Sequence, residues 1–306
     1  MPHIKERENK NKPNKQKLSK HQMRAKWGSS AFLIPSVAGA TLFFFLPYLV
    51  VIYYSFLDNP VGKHFVGFAN YASVVQNTAF RTAVKNTGVF SAVAVPLAVL
   101  LSLLLALLLD NKIPFRTQFR TFLLSPMMVP VASIVLIWQV LFDQNGAVNV
   151  LLSKMDIVPI DWMKSDYAIV VIVLLFLWKN IGYNMILFMA ALSSVPQDII
   201  EVARLESAGS FKIFFMIKLR YLVSTIVFVT IMSLINSFKI FREIYLLTTD
   251  YPYASIYMLQ HFMNNKFKSL DYQMLSAAAV LMSLVMVVLI VLLFRADEHY
   301  SRDLDG

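Results

Sequence analysis

The chain contains no cysteine. Disulfides, thiolate metal sites and a cysteine nucleophile are therefore excluded, although this absence assigns no compartment. Charge is scarce as well. Only 15% of the 306 residues are Asp, Glu, Lys or Arg, against about 25% in a soluble domain. An ordinary soluble enzyme and a disordered chain are both excluded. Histidine is rare, and His3, His21, His64, His261 and His299 form no HExxH pair and fall in no apolar run. A GxxxxGK[ST] phosphate loop and a GxSxG elbow are also missing. The chain reads as no enzyme: it has no catalytic residues and no metal ligands, and ATP used on its behalf must be bound by another chain.

What is plentiful is apolar: 58% of residues are hydrophobic. A bilayer core takes about 20 apolar residues as helix. Residues 31–57, 87–109, 121–142 and 272–294 carry no charge, and 167–192 carry only Lys179. Residues 221–238 are uncharged but short; apolar character resumes at Ile244–Leu247, so this span is drawn at about 221–247. Long unbroken runs exclude a β-barrel, whose strands alternate over about ten residues. The expectation is an all-α polytopic membrane protein of six transmembrane helices. Ala38-Gly39-Ala40 mimics a signal-peptide cleavage site, but the apolar run continues through Phe56, so an uncleaved first helix is expected.

Residues 1–30 hold nine Lys/Arg against Glu6 and Glu8. This tail is read as disordered and cytoplasmic, lying against anionic lipid and binding no nucleic acid. With both termini cytoplasmic, the inner segments hold 18 Lys/Arg and the outer ones nine, as the positive-inside bias requires. Residues 31–295 form the six-helix transmembrane domain and 296–306 a short cytoplasmic tail.

One inner loop differs from the rest. In 195–220, Pro196 is placed to open a helix, Asp198 and Glu201 suit its first turns, and Gly209 stands as its stop before a second apolar run, Phe211–Ile217. Two short helices meeting at a bend are expected, serving either as an interfacial linker or as a docking element. Polar residues inside the spans give a second signal, because they are costly there and face cavities or other helices. Asn180, Tyr183 and Asn184 cluster in the fourth span, Ser233, Asn236 and Ser237 share a face of the fifth, and Trp138 and Gln139 sit deep in the third. Together they fit a translocation pathway for a polar solute, with aromatic faces for sugar rings and amides for hydroxyls.

The 195–220 segment resembles the EAA motif of permease subunits in binding-protein-dependent ABC importers, roughly E-A-A-x3-G-x9-I-x-L-P. Here it reads Glu201-Val202-Ala203, Ser207 in the Gly place, Ile217, Leu219 and Arg220 in the Pro place. Gly209 is expected to supply the bend two residues late. Residues 83–110 and 119–152 are similar to the family's core segments. NSFKIFREIYLLT (236–248) and 269–294 resemble the carbohydrate branch and its MalF-like members, with Thr249-Asp250-Tyr251-Pro252 where Gly-Gly-Pro is usual. The resemblance covers about residues 30–295.

It implies the type I importer permease fold in a bacterial plasma membrane. It also implies a second homologous permease, two ATPase subunits that bind ATP and Mg, an extracellular solute-binding protein and a sugar substrate. The ATPase-coupling residues it implies are Glu201, Ala203, Arg204, Ser207, Ala208, Gly209 and Ile217. Two alternatives stay open. One is a same-family permease for a solute such as a glycerol phosphate ester. The other is an ion-coupled secondary carrier, disfavoured because no Asp or Glu falls in the apolar runs themselves, the fifth being counted as 221–238.

Overall fold

The computed structural model describes residues 33–59, 61–110 and 114–302; the basic tail read at 1–30 lies outside them. The chain divides into two units, Met1–Val51 and Ile52–Gly306. Helix α1 (Leu33–Ser55) contains a π-helical turn at Thr41–Phe45 and carries exposed Leu33, Phe43 and Phe44. Exposed apolar side chains along a helix of this length are what lipid covers.

The second unit continues with α2 (Ala69–Gln76), α3 (Thr78–Asp110), α4 (Arg116–Met128), α5 (Val131–Leu141), α6 (Ala147–Ser153) and α7 (Ala168–Ser193). After these come α8 (Gln197–Leu205), α9 (Ser210–Ile213), a π-helical turn at Phe214–Lys218 and α10 (Leu219–Phe238). The chain closes with α11 (Phe241–Thr248), α12 (Leu259–Lys268) and α13 (Tyr272–Arg302). Among the described residues the only strand-like pairing is an isolated bridge between Leu57 and Phe65, so the protein is all-α.

Helices α3 and α7 form the centre. Ala94 and Ala98 are fully buried, and small side chains four residues apart let helix backbones approach. Phe90 meets Phe176 edge-on at 5.4 Å. Further along, Ala106 and Leu109 pack with Met185, Phe188 and Leu192 of α7 and Leu222 and Val229 of α10. Ser102 Oγ donates to the Ile181 carbonyl at 3.1 Å, a polar stitch between α3 and α7. Gly182 abuts the backbone of α4: a Cβ there would collide with the Leu123 carbonyl.

Two sequence expectations need correction. The third span is not one straight helix, because α4 and α5 meet at 101°. Pro130 pushes Val129 into extended backbone (φ −82°, ψ 133°) and ends α4. With 13 and 11 residues, the two pieces are only about 20 and 17 Å long, too short to cross singly. Among the described residues five helices are long and apolar enough to span, and up to six if the bent pair counts as one. The second correction concerns the fifth span. It belongs to a longer helical run, Ser210–Thr248, and Glu243 lies inside it, buried; an acid is therefore present in a span. Its charge is tolerated because Lys179 pairs with it. At the end of the chain α13 continues as helix to Arg302, through the first part of the segment read as a short tail.

Candidate functional site

Two regions gather the candidate residues. The first is the α8–α9 hairpin. Pro196 caps α8, which begins at Gln197 with Asp198 in its first turn. The bend is made by Ser207, which takes a left-handed conformation (φ 61°), whereas Gly209 does not (φ −67°). The bend therefore falls at the motif's Gly position and not two residues late. Ser207 N donates to Arg204 O at 3.0 Å and Ala208 N to Ala203 O at 2.9 Å, the two bonds of a Schellman cap.

Ala203, Ala208 and Ile217 pack on buried Val195, Ile200 and Ile213, so three motif residues serve a small local core. Glu201, Arg204, Ser207 and Gly209 are exposed, as are the apolar Val202, Leu205 and Phe211. Lys218 Nζ lies 2.7 Å from Asp110 Oδ2 and ties the hairpin's exit to the end of α3.

The second region is a cavity of about 850 Å³. Met127, Met128 and Pro130 contribute from the α4–α5 break, and Phe176, Lys179, Asn180 and Tyr183 from α7. Asn236 of α10, then Lys239, Arg242 and Glu243, and Gln260 complete the polar part of the wall. Asn236 Nδ2 donates to Asn180 Oδ1 at 2.9 Å, and Asn180 Nδ2 to the Phe176 carbonyl at 2.8 Å. Lys179 is ion-paired with Glu243.

Of the eight pathway residues expected from sequence, Asn180, Tyr183 and Asn236 line this cavity. Asn184, Ser233 and Ser237 do not. Asn184 Nδ2 donates to Ser233 Oγ at 2.9 Å, and Ser237 Oγ, which donates to the Leu234 carbonyl, accepts from Ser91 Oγ at 2.8 Å; all three are buried between helices. Trp138 is buried against Phe142, stacked at 5.1 Å. Gln139 Nε2 reaches the Leu247 carbonyl at 3.5 Å and borders a separate, shallower recess beside Asp143 and Asn145.

Helical spacing identified the polar faces correctly but not which way each residue turned. Sequence reasoning missed Lys239, Arg242 and Glu243. The available signal was Lys179, since a cation inside a span requires a counter-charge.

Outside the spans, Asp250 follows Thr249, whose backbone (φ 66°, ψ −150°) is of the kind normally reserved for glycine. The Lys268 ammonium, 2.6 Å from Asp250 Oδ1, holds that carboxyl below its usual range. Nearby, His261 is fully buried, its Nδ1 accepting from Met258 N at 3.2 Å; burial lowers its pKa to about 4.

The described residues thus combine an all-helical domain with several apolar helices, a broken span, an open cavity with polar residues in a largely apolar wall, and a braced helical hairpin, a set that suits a membrane transport protein. The profile of the family described as binding-protein-dependent transport system inner membrane component matches residues 98–306. The chain belongs to that family and is a multi-pass inner-membrane protein. It is 27% identical over 282 residues to the sn-glycerol-3-phosphate transport system permease protein UgpA of Yersinia pestis, covering 90% of this chain and 96% of that one. It is 27% identical over 243 residues to the trehalose/maltose transport system permease protein MalF of Thermococcus litoralis, covering 79% and 82%. A chain from the crystal structure of a bacterial ABC transporter that imports the acidic polysaccharide alginate superposes with a TM-score of 0.79 at 19% identity, covering 91% and 98%.

Proposed function

We propose that this chain is one of two homologous permease subunits of an ATP-driven, binding-protein-dependent importer of a sugar or oligosaccharide. Both termini are cytoplasmic. Two ATPase subunits bind ATP and Mg on that side, and a solute-binding protein delivers the substrate on the other. The observation that carries the reading is the α8 hairpin. It opens at Pro196, is capped at its C-terminal end, is braced by its own core and is tied to α3 through Lys218 and Asp110, yet it leaves Glu201, Val202 and Leu205 exposed. A short braced helix transmits force, and its mixed charged and apolar surface suits a cleft on another protein.

The cavity volume falls within the range of small-molecule sites, and Asn180, Asn236 and Tyr183 offer hydrogen bonds and a ring face to a polyhydroxylated solute. Transport requires that nucleotide favour one of two states, and the ATPases supply that bias through α8. The relative named for trehalose/maltose and the alginate transporter, also crystallised with a pentasaccharide-bound periplasmic protein, support the carbohydrate class and the binding-protein partner, while the relative named for sn-glycerol-3-phosphate favours the phosphate-ester alternative. The test is Glu201→Lys. ATP-coupled uptake and solute-stimulated ATPase are lost while membrane insertion is intact; retained coupled uptake counts against the docking role.

Glu243 is the observation that would favour an ion-coupled carrier instead. Its carboxylate, however, is engaged by Lys179 and not free to carry an ion. Uptake by this chain alone on a proton or sodium gradient would establish that alternative.

A further inference from the structure

We propose that the cavity receives a solute bearing an anionic group, a phosphate ester or a uronate-type carboxylate, held by Lys239 and Arg242. The inference rests on the permease reading and narrows its substrate class.

Three cations line the cavity and only one carboxylate does. Glu243 neutralises Lys179. That leaves Lys239 and Arg242, whose side chains have no ion-pair or hydrogen-bond partner among the described residues. Both are exposed where α10 gives way to α11, and both line the same cavity as Asn180 and Asn236.

Helix stability accounts for only one of them. Lys239 is the C-cap of α10, where a cation complements the dipole. Arg242 stands in the first turn of α11, where a cation opposes it. The two also lie three residues apart, close enough to repel. Both costs are recovered when an anion sits between them. A guanidinium fork matches the paired oxygens of phosphate or carboxylate, and an ammonium adds a point charge. The neighbouring amides of Asn180 and Asn236 then meet the hydroxyls of the same molecule.

The same cations could be answered by a lipid headgroup or by acids of the second permease, and the experiment separates these. The complete importer, with its ATPases and binding protein, is reconstituted in phosphatidylcholine vesicles. It is offered a mixture of phosphorylated, uronic and neutral saccharides of one to five units, and what accumulates with ATP is identified by mass spectrometry. An anionic saccharide is expected. Accumulation of neutral saccharides alone overturns the inference and leaves the importer reading standing. No ATP-dependent accumulation of any solute overturns both.

In the same vesicles, Lys239→Gln with Arg242→Gln is expected to raise the half-saturating concentration of the anionic solute by at least about ten-fold per cation, with little change in maximal rate. Arg242→Lys is expected to recover part of the loss. An unchanged half-saturation overturns the inference in favour of a contact to the second permease. Competition by added phosphatidylglycerol in the wild type, abolished in the double variant, assigns the cations to lipid and overturns it as well.

Discussion

Replacing Glu243 by glutamine removes one charge and little volume, so it isolates the ion pair. The Glu243 side chain is 5% exposed and that of Lys179 is 24% exposed. Removing one partner of a fully buried pair costs about 3–5 kcal/mol, because the other charge stays desolvated. Lys179 retains partial access to the cavity, which lowers the expected cost to about 2–3 kcal/mol. In a unit of this size that corresponds to a fall in melting temperature of roughly 5–10 °C. The double variant Lys179→Met with Glu243→Met removes both charges and should recover most of the loss, giving a coupling of at least about 1.5 kcal/mol in a double-mutant cycle. Thermal unfolding of the four purified proteins in one detergent measures it. If Glu243→Gln melts with the wild type, or the double variant falls by the sum of the singles, the pair does not balance the cavity wall and the reasoning fails.

Other substitutions separate structural from functional roles. Ser207→Gly and Thr249→Gly each relieve a positive φ and should raise stability by about 1 kcal/mol, read as a higher melting temperature; a decrease at either site would show that the side chain, and not the backbone, is what matters there. Asn184→Leu leaves Ser233 unpartnered and should cost about 1–3 kcal/mol with half-saturation unchanged. Asn236→Leu, in the cavity wall, should raise half-saturation instead, and the reverse pattern in uptake kinetics would exchange their roles. His261 is neutral in the folded protein, with a pKa of about 4 against an ordinary value of 6.5. Above pH 6.5 it contributes no pH dependence. As pH falls from 6.5 to 4 the unfolded chain takes up a proton that the folded one refuses, so stability drops with a slope approaching about 1.4 kcal/mol per pH unit. A His261→Phe variant should lose that slope in a pH series of melts.

The polytopic helical fold was legible because unbroken apolar runs leave few alternatives, and the hairpin was legible because Pro196, Asp198 and the later apolar run have fixed places at helix ends. What composition concealed was backbone geometry set by single residues. Pro130 sits in an apolar stretch that reads as one span, yet it breaks the helix. Ser207 and Thr249 are not glycines but adopt glycine's conformations; only the family pattern, with Gly usual at or beside these places, hinted at it. The cavity was half legible. Spacing put Asn180 with Asn184, and Asn236 with Ser233, on shared faces, but only the packed helices decide that one member of each pair meets the cavity while the other is spent on a helix–helix bond. Lys239, Arg242 and Glu243 looked like the end of a span because charge ordinarily ends one; here Lys179 supplies the counter-charge that lets Glu243 stay.

The docking role of α8 is most directly tested by a single cross-link. The chain has no cysteine, so Glu206→Cys, exposed at the end of α8, gives it one thiol and leaves Glu201 in place. In a purified complex that still transports, a thiol-reactive bifunctional reagent should join this residue to an ATPase subunit, with a yield that changes when ATP is bound. A complex that takes up solute while this thiol never links to an ATPase, whichever nucleotide is present, would contradict the account.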